Sequence, residues 1–166
     1  MGQTKLEKVL EVFYEFPGRQ FTVRKLSSVL RLPKSTVQNQ LNILKSRSLV
    51  TKDNRASSST LFRVKKVNFF TEKIVESGLI DELASKLNPS CIILFGSVRK
   101  GDSGKDSDID LFVESHVKKM VELKKYEKRL GHKVQLFVES DMKKLQSHLF
   151  NNVVNGIKLF GSFKVR

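Results

Sequence analysis

Two acidic residues stand two apart in Ser107-Asp108-Ile109-Asp110-Leu111-Phe112-Val113, and ten residues separate Asp108 from an earlier Gly96-Ser97 pair. On an extended strand alternate side chains share a face, so Asp108 and Asp110 project one way while Ile109, Leu111 and Val113 project into a core. Carboxylates that close repel unless a cation lies between them, and hard oxygen ligands suit Mg²⁺ or Mn²⁺. Gly96-Ser97 ends the apolar run Cys91-Ile92-Ile93-Leu94-Phe95, which reads as a buried strand. A turn of that composition offers backbone N–H groups and a hydroxyl to phosphate oxygens, and glycine lets a phosphate approach the main chain. The chemistry indicated is capture of a nucleoside triphosphate together with its metal.

The elements around this pair follow from periodicity. Residues 67–89 read as two helices broken near Gly78 and ended at Asn88-Pro89, with Phe69, Phe70, Ile74, Leu79, Ile80, Leu83 and Leu87 apolar. After the aspartate strand, residues 116–130 read as a basic amphipathic helix stopped by Gly131. Val134–Val138 reads as a strand with Val134, Leu136 and Val138 inward. A helix follows over about 141–154, and Ile157–Phe160 returns as a short edge strand. His116, His132 and His148 lack ligand spacing and read as surface residues. The lone Cys91, inside an apolar run, reads as a small buried hydrophobe.

Gly96-Ser97, the ten-residue interval and Asp108-Ile109-Asp110 together resemble the signature of the polymerase-β-like nucleotidyltransferase superfamily, most closely its small, minimal prokaryotic members. The resemblance covers roughly residues 90–161. It implies that Gly96 and Ser97 bind the triphosphate and that Asp108 and Asp110 are catalytic and hold the metal. The implied reaction is in-line attack on the α-phosphoryl group of ATP or another nucleoside triphosphate, with pyrophosphate leaving. In such proteins a third carboxylate on a neighbouring strand completes the site; here Gln135 stands at that place. Gln is neutral, a poorer ligand and no base. Glu139 lies four residues further along, about 13 Å at 3.3 Å per residue, and Glu114 is a further acid that could contribute. The resemblance also implies a macromolecular acceptor bearing a hydroxyl, and a protein acceptor of the toxin type, with the chain acting as its antitoxin.

The N-terminal part carries most of the charge. The chain's formal net charge is +14; residues 1–66 hold 14 Lys+Arg against 4 Asp+Glu, and the remainder 17 against 13. That asymmetry places a polyanion-binding surface in the first third. Leu6, Val9, Leu10 and Phe13 predict a helix over 4–16. Thr22 predicts a cap for a helix over 23–31, and Ser35 a cap for one over 36–47 with Val37, Leu41 and Leu44 on its inner face. Leu49–Lys52 and Thr60–Val64 read as two strands around a polar loop.

This trio with a hairpin resembles the winged helix-turn-helix of prokaryotic transcription regulators, which implies DNA binding. The resemblance places Lys34, Ser35, Thr36, Gln38, Asn39, Asn42 and Lys45 of the third helix in the major groove, and Lys52, Arg55 and Arg63 of the wing on the backbone. A palindromic site would call for a homodimer. No apolar run reaches the length of a membrane span and no signal-peptide core opens the chain, so the expected compartment is the cytoplasm.

The expected fold is therefore α+β: a winged helix-turn-helix domain (1–66), a helical connector (67–89), and a nucleotidyltransferase-like mixed sheet with flanking helices (90–166). The expected activity is Mg²⁺-dependent nucleotidyl transfer by a DNA-bound protein. The alternative is a non-catalytic regulator whose nucleotidyltransferase fold only binds nucleotide or a partner.

Overall fold

A computed structural model describes residues 3–164. The chain divides into two compact units, Met1–Lys66 and Val67–Arg166, and the division falls inside one helix.

In the first unit, α1 (Lys5–Glu15) opens with a reciprocal cap between Thr4 and Glu7, and α2 (Val23–Leu30) is capped by the Thr22 hydroxyl. α3 (Lys34–Ser46) starts one residue before Ser35: Pro33 takes the capping position and makes no side-chain bond there. The proline ring holds φ at −56°, which sets the chain's entry to the helix, while its side chain offers the first N–H groups no acceptor. Val9, Leu10 and Phe13 of α1, Leu26 of α2, and Val37, Leu41 and Leu44 of α3 are buried together in this unit's core. On α2, where the pattern allows either Val29 or Leu30 to face inward, Val29 is 56% exposed and Leu30 half-buried.

The expected wing is smaller than its two strands. Only Val50 and Ala56 bridge, and the turn between them is closed by Thr51 N–H to the Arg55 carbonyl (2.9 Å). Thr60–Val64 is not a strand; it opens α4 (Thr60–Glu76). The Ser59 hydroxyl accepts the Phe62 N–H (3.2 Å), which is how a helix start is satisfied, and Phe62, Phe70 and Ile74 are buried at helical spacing. The polar loop before α4 therefore ends in a helix cap.

The second unit continues with α5 (Leu79–Leu87), set off by Gly78 at φ 80°. Its sheet has four strands, β1 (Cys91–Phe95), β2 (Ile109–Glu114), β3 (Val134–Glu139) and β4 (Ile157–Gly161), in the order β3-β2-β1-β4. β1 is antiparallel to both neighbours, whereas β2 and β3 run parallel, so the sheet is mixed. Between β1 and β2 lies the short helix α6 (Gly96–Lys100).

The crossover to β3 uses α7 (Lys124–Leu130), half the helix the periodicity predicts. Ser115 ends β2 by donating to the Leu87 carbonyl and accepting the Val117 N–H (2.9 Å), and residues 116–123 stay non-helical with Met120 99% exposed. A serine side chain that captures neighbouring backbone groups competes with helix formation. Similarly, the helix expected over 141–154 breaks into a 3₁₀ turn (Met142–Lys144), capped by Asp141, and α8 (Ser147–Val154).

Cys91, Ile93 and Phe95 of β1 and Phe112 of β2 form a buried cluster with Met142 and Val153, and Phe137 of β3 packs against it. Burial, chiefly, pushes the Cys91 thiol up to about 11. The opposite face carries Ile92, Leu94, Ile109, Leu111 and Val113, all buried, so both faces of β1 and β2 are covered.

Candidate functional site

The ladder fixes which residues meet. Phe95, the last residue of β1, pairs with Asp110, and on the other side of β2 Asp110 pairs with Gln135 of β3. Gly96 follows Phe95 at φ +70°, the left-handed region that glycine adopts at low cost. A Cβ at Gly96 would collide with Oδ2 of Asp110 and stand 2.8 Å from its Cγ. The Asp110 carboxylate thus lies directly on the backbone of the glycine–serine bend. No side chain larger than hydrogen fits between them.

Asp110 is half-buried and Asp108 exposed. Asp108 lies one residue ahead of β2 rather than within it. Desolvation first, and the negative charge of Asp108 second, hold the Asp110 carboxyl above its ordinary range. An acid whose charge is disfavoured by its neighbour, pressed against the glycine–serine bend, fits a divalent cation with its accompanying phosphate. Among the described residues no three His, Cys, Asp or Glu side chains converge as a complete ligand set. Mg²⁺ commonly takes only one or two carboxylates, with substrate phosphates and waters filling the remaining positions.

Ser97 sits half-buried in the first turn of α6, next to Gly96. Gln135 is exposed and lies in register with Asp110, so the amide occupies the place opposite the acid. Neither alternative acid is near. Glu114 pairs with Cys91 and Glu139 at the far end of the strands, and its carboxylate accepts from the Ser90 hydroxyl (2.7 Å) and the Met142 N–H (3.0 Å). Glu114, the further acid that could have completed the site, is thus engaged at the other end of the strands.

A cleft of about 590 Å³ opens beside Asp108, between residues 105–108 and 131–133, with Glu127 on its wall. Lys105 is part of it and donates to the Gly131 carbonyl (3.1 Å). His132 is 5% exposed, which corrects its reading as a surface residue; His116 and His148 are exposed. The Nδ1 of His132 meets the Ser107 carbonyl, 25 residues away. No local pattern in the sequence signals such a contact.

In the first unit, Lys34, Ser35, Gln38, Asn39 and Asn42 are exposed on α3, and Thr36 and Lys45 are half-buried. Gln38 donates to Asn42 (3.0 Å), and Lys45 donates to the Lys52 carbonyl (3.0 Å), which ties α3 to the hairpin. Arg55 is not a free wing cation. Its guanidinium binds Asp53 (2.9 Å), the Gly18 carbonyl (3.1 Å) and Gln20 (3.2 Å), fastening the hairpin to the α1–α2 loop. Arg63 stands on α4 rather than on a wing strand. No helix among the described residues is long and apolar enough to cross a membrane.

A family model described as nucleotidyltransferase domain matches residues 76–159. No curated protein and no solved structure matches the chain.

Proposed function

The chain belongs to the nucleotidyltransferase domain family, and on that premise we propose that it transfers a nucleoside monophosphate from a nucleoside triphosphate, ATP foremost, to a macromolecular acceptor. The observation that carries this reading is the Asp110 carboxylate seated against Gly96. In it, Gly96 admits the triphosphate to the main chain, and the Ser97 hydroxyl donates to a phosphate oxygen. Asp108 and Asp110 hold a Mg²⁺ or Mn²⁺ ion. When bound, that ion neutralises charge on the phosphates and so eases departure of pyrophosphate. An acceptor hydroxyl attacks the α-phosphorus and gives up its proton to solvent water as the bond to the bridging oxygen breaks, leaving pyrophosphate.

The acceptor in this reading is a protein, as in an antitoxin that nucleotidylates its toxin. The polar face of α3, with Lys34, Ser35, Thr36, Gln38, Asn39 and Asn42, binds DNA in the manner of a winged helix-turn-helix, aided by Lys45, Lys52 and Arg63. A cytoplasmic homodimer suits a palindromic DNA site. Incubation with α-labelled ATP, Mg²⁺ and candidate acceptors tests the reaction. Label transfer that disappears in Asp108→Asn and Asp110→Asn is expected; transfer that persists in both variants sinks the proposal.

The register of Gln135 with Asp110 favours a second reading: a DNA-binding regulator whose site holds nucleotide without turning it over. Here calorimetry with ATP and Mg²⁺ finds binding, and no pyrophosphate is released with any acceptor.

A further inference from the structure

Asp108 and Asp110 differ in what holds them. Asp110 is inside the β2 ladder, whereas Asp108 precedes it and is exposed. The loop that carries Asp108 is fastened from the turn after α7. The Ile109 N–H donates to the Lys133 carbonyl (2.8 Å), and Lys105 reaches the Gly131 carbonyl. Between these ties, His132 Nδ1 lies 2.8 Å from the Ser107 carbonyl. A carbonyl only accepts, so Nδ1 carries the proton and donates it. The imidazole is buried and stands edge-on to Phe70, with centroids 5.4 Å apart and planes at 88°.

Against these ties works the repulsion of the two carboxylates. The lysine tie is exposed and cheap to break, while breaking the imidazole's bond strands a buried donor. We propose that His132 is a positioning residue for the metal site: through the Ser107 carbonyl it holds Asp108 at the spacing from Asp110 that a divalent cation requires. It touches neither cation nor substrate. The inference rests on the reading of Asp108 and Asp110 as metal ligands.

The test is Mn²⁺ affinity of the full chain, followed by paramagnetic resonance without turnover. His132→Phe keeps a ring against Phe70 and removes the donor. It is expected to weaken binding by about tenfold or more, the range for lost outer-shell hydrogen bonds. His132→Asn offers an amide N–H near the Nδ1 position and recovers most of the affinity. His132→Gln, equally polar but with its amide displaced toward Nε2, stays weak. If His132→Phe does not fold, the contrast between Asn and Gln decides. Affinity in the Phe or Gln variant equal to the wild type, with Asp108→Asn still deficient, overturns the role of His132 and leaves the metal site standing. An Asp108→Asn variant that binds Mn²⁺ like the wild type overturns both.

Discussion

At the scale of single residues, the contact between Gly96 and Asp110 concentrates the constraints on this site. Gly96 needs a positive φ and an absent Cβ at once. Gly96→Ala is therefore expected to cost about 1–2 kcal/mol for the left-handed backbone alone, with a further penalty as Asp110 is displaced. Urea unfolding measures the first effect and Mn²⁺ titration the second, which should show lost affinity. Asp110 makes a prediction with a definite sign. Its carboxyl is raised by desolvation and by Asp108, so its ionised form burdens the fold. Stability of the metal-free protein then falls as pH rises from the ordinary carboxylate pKa of about 4 through the raised value. Asp110→Asn removes that burden: in chelator it should melt higher than the wild type at neutral pH and no higher below about pH 3. Added Mg²⁺ should raise the wild-type melting temperature and leave the variant's unchanged. A variant that melts lower at neutral pH would contradict this account of the pair.

At the scale of elements, β2 and β3 decide how complete the site is. Their parallel register sets Gln135 beside Asp110 and sends Glu139 to Glu114, at the other end of the strands. Gln135→Glu puts a third carboxylate where the sequence leaves an amide. If nucleotidyl transfer lacks only an acceptor-side base, label transfer should rise about tenfold or more, the lower reach of general-base effects. Metal-free stability should fall, because a third negative charge joins two that already repel. Binding of nucleotide that strengthens with no transfer at all would favour the regulator. Elements also account for what pattern alone misjudged. Thr60–Val64 has the β-branched and aromatic residues of a strand, yet Ser59 caps it as a helix. Residues 116–123 have the apolar spacing of a helix, yet Ser115 takes the backbone groups that would start one.

At the scale of the whole chain, charge is the property that reaches beyond any one element. The surplus of 14 basic over 4 acidic residues in 1–66 predicts DNA affinity that falls steeply and linearly on a log–log plot with salt, by about 0.9 per phosphate contacted. A flat salt profile, measured by anisotropy on labelled duplex, would assign the three-helix unit to a protein partner. Alanine at Lys34 should reduce the slope by about one if that side chain meets a phosphate, whereas alanine at Arg55 should unsettle the hairpin, since its guanidinium is already engaged within the unit.

Much of this molecule was legible in its residues alone. The apolar strand, the glycine–serine bend and the paired aspartates follow from strand alternation and spacing, because a two-residue period needs no knowledge of the fold, whereas the place of Gln135 opposite them came from the family resemblance. Tertiary structure alone decided which acids are spent elsewhere, where the wing shrinks to a single bridge, and that His132 is buried against Phe70 with its Nδ1 at the Ser107 carbonyl. Those outcomes depend on groups brought together from distant parts of the chain, and hydrogen bonds across such separations leave no periodic trace in sequence.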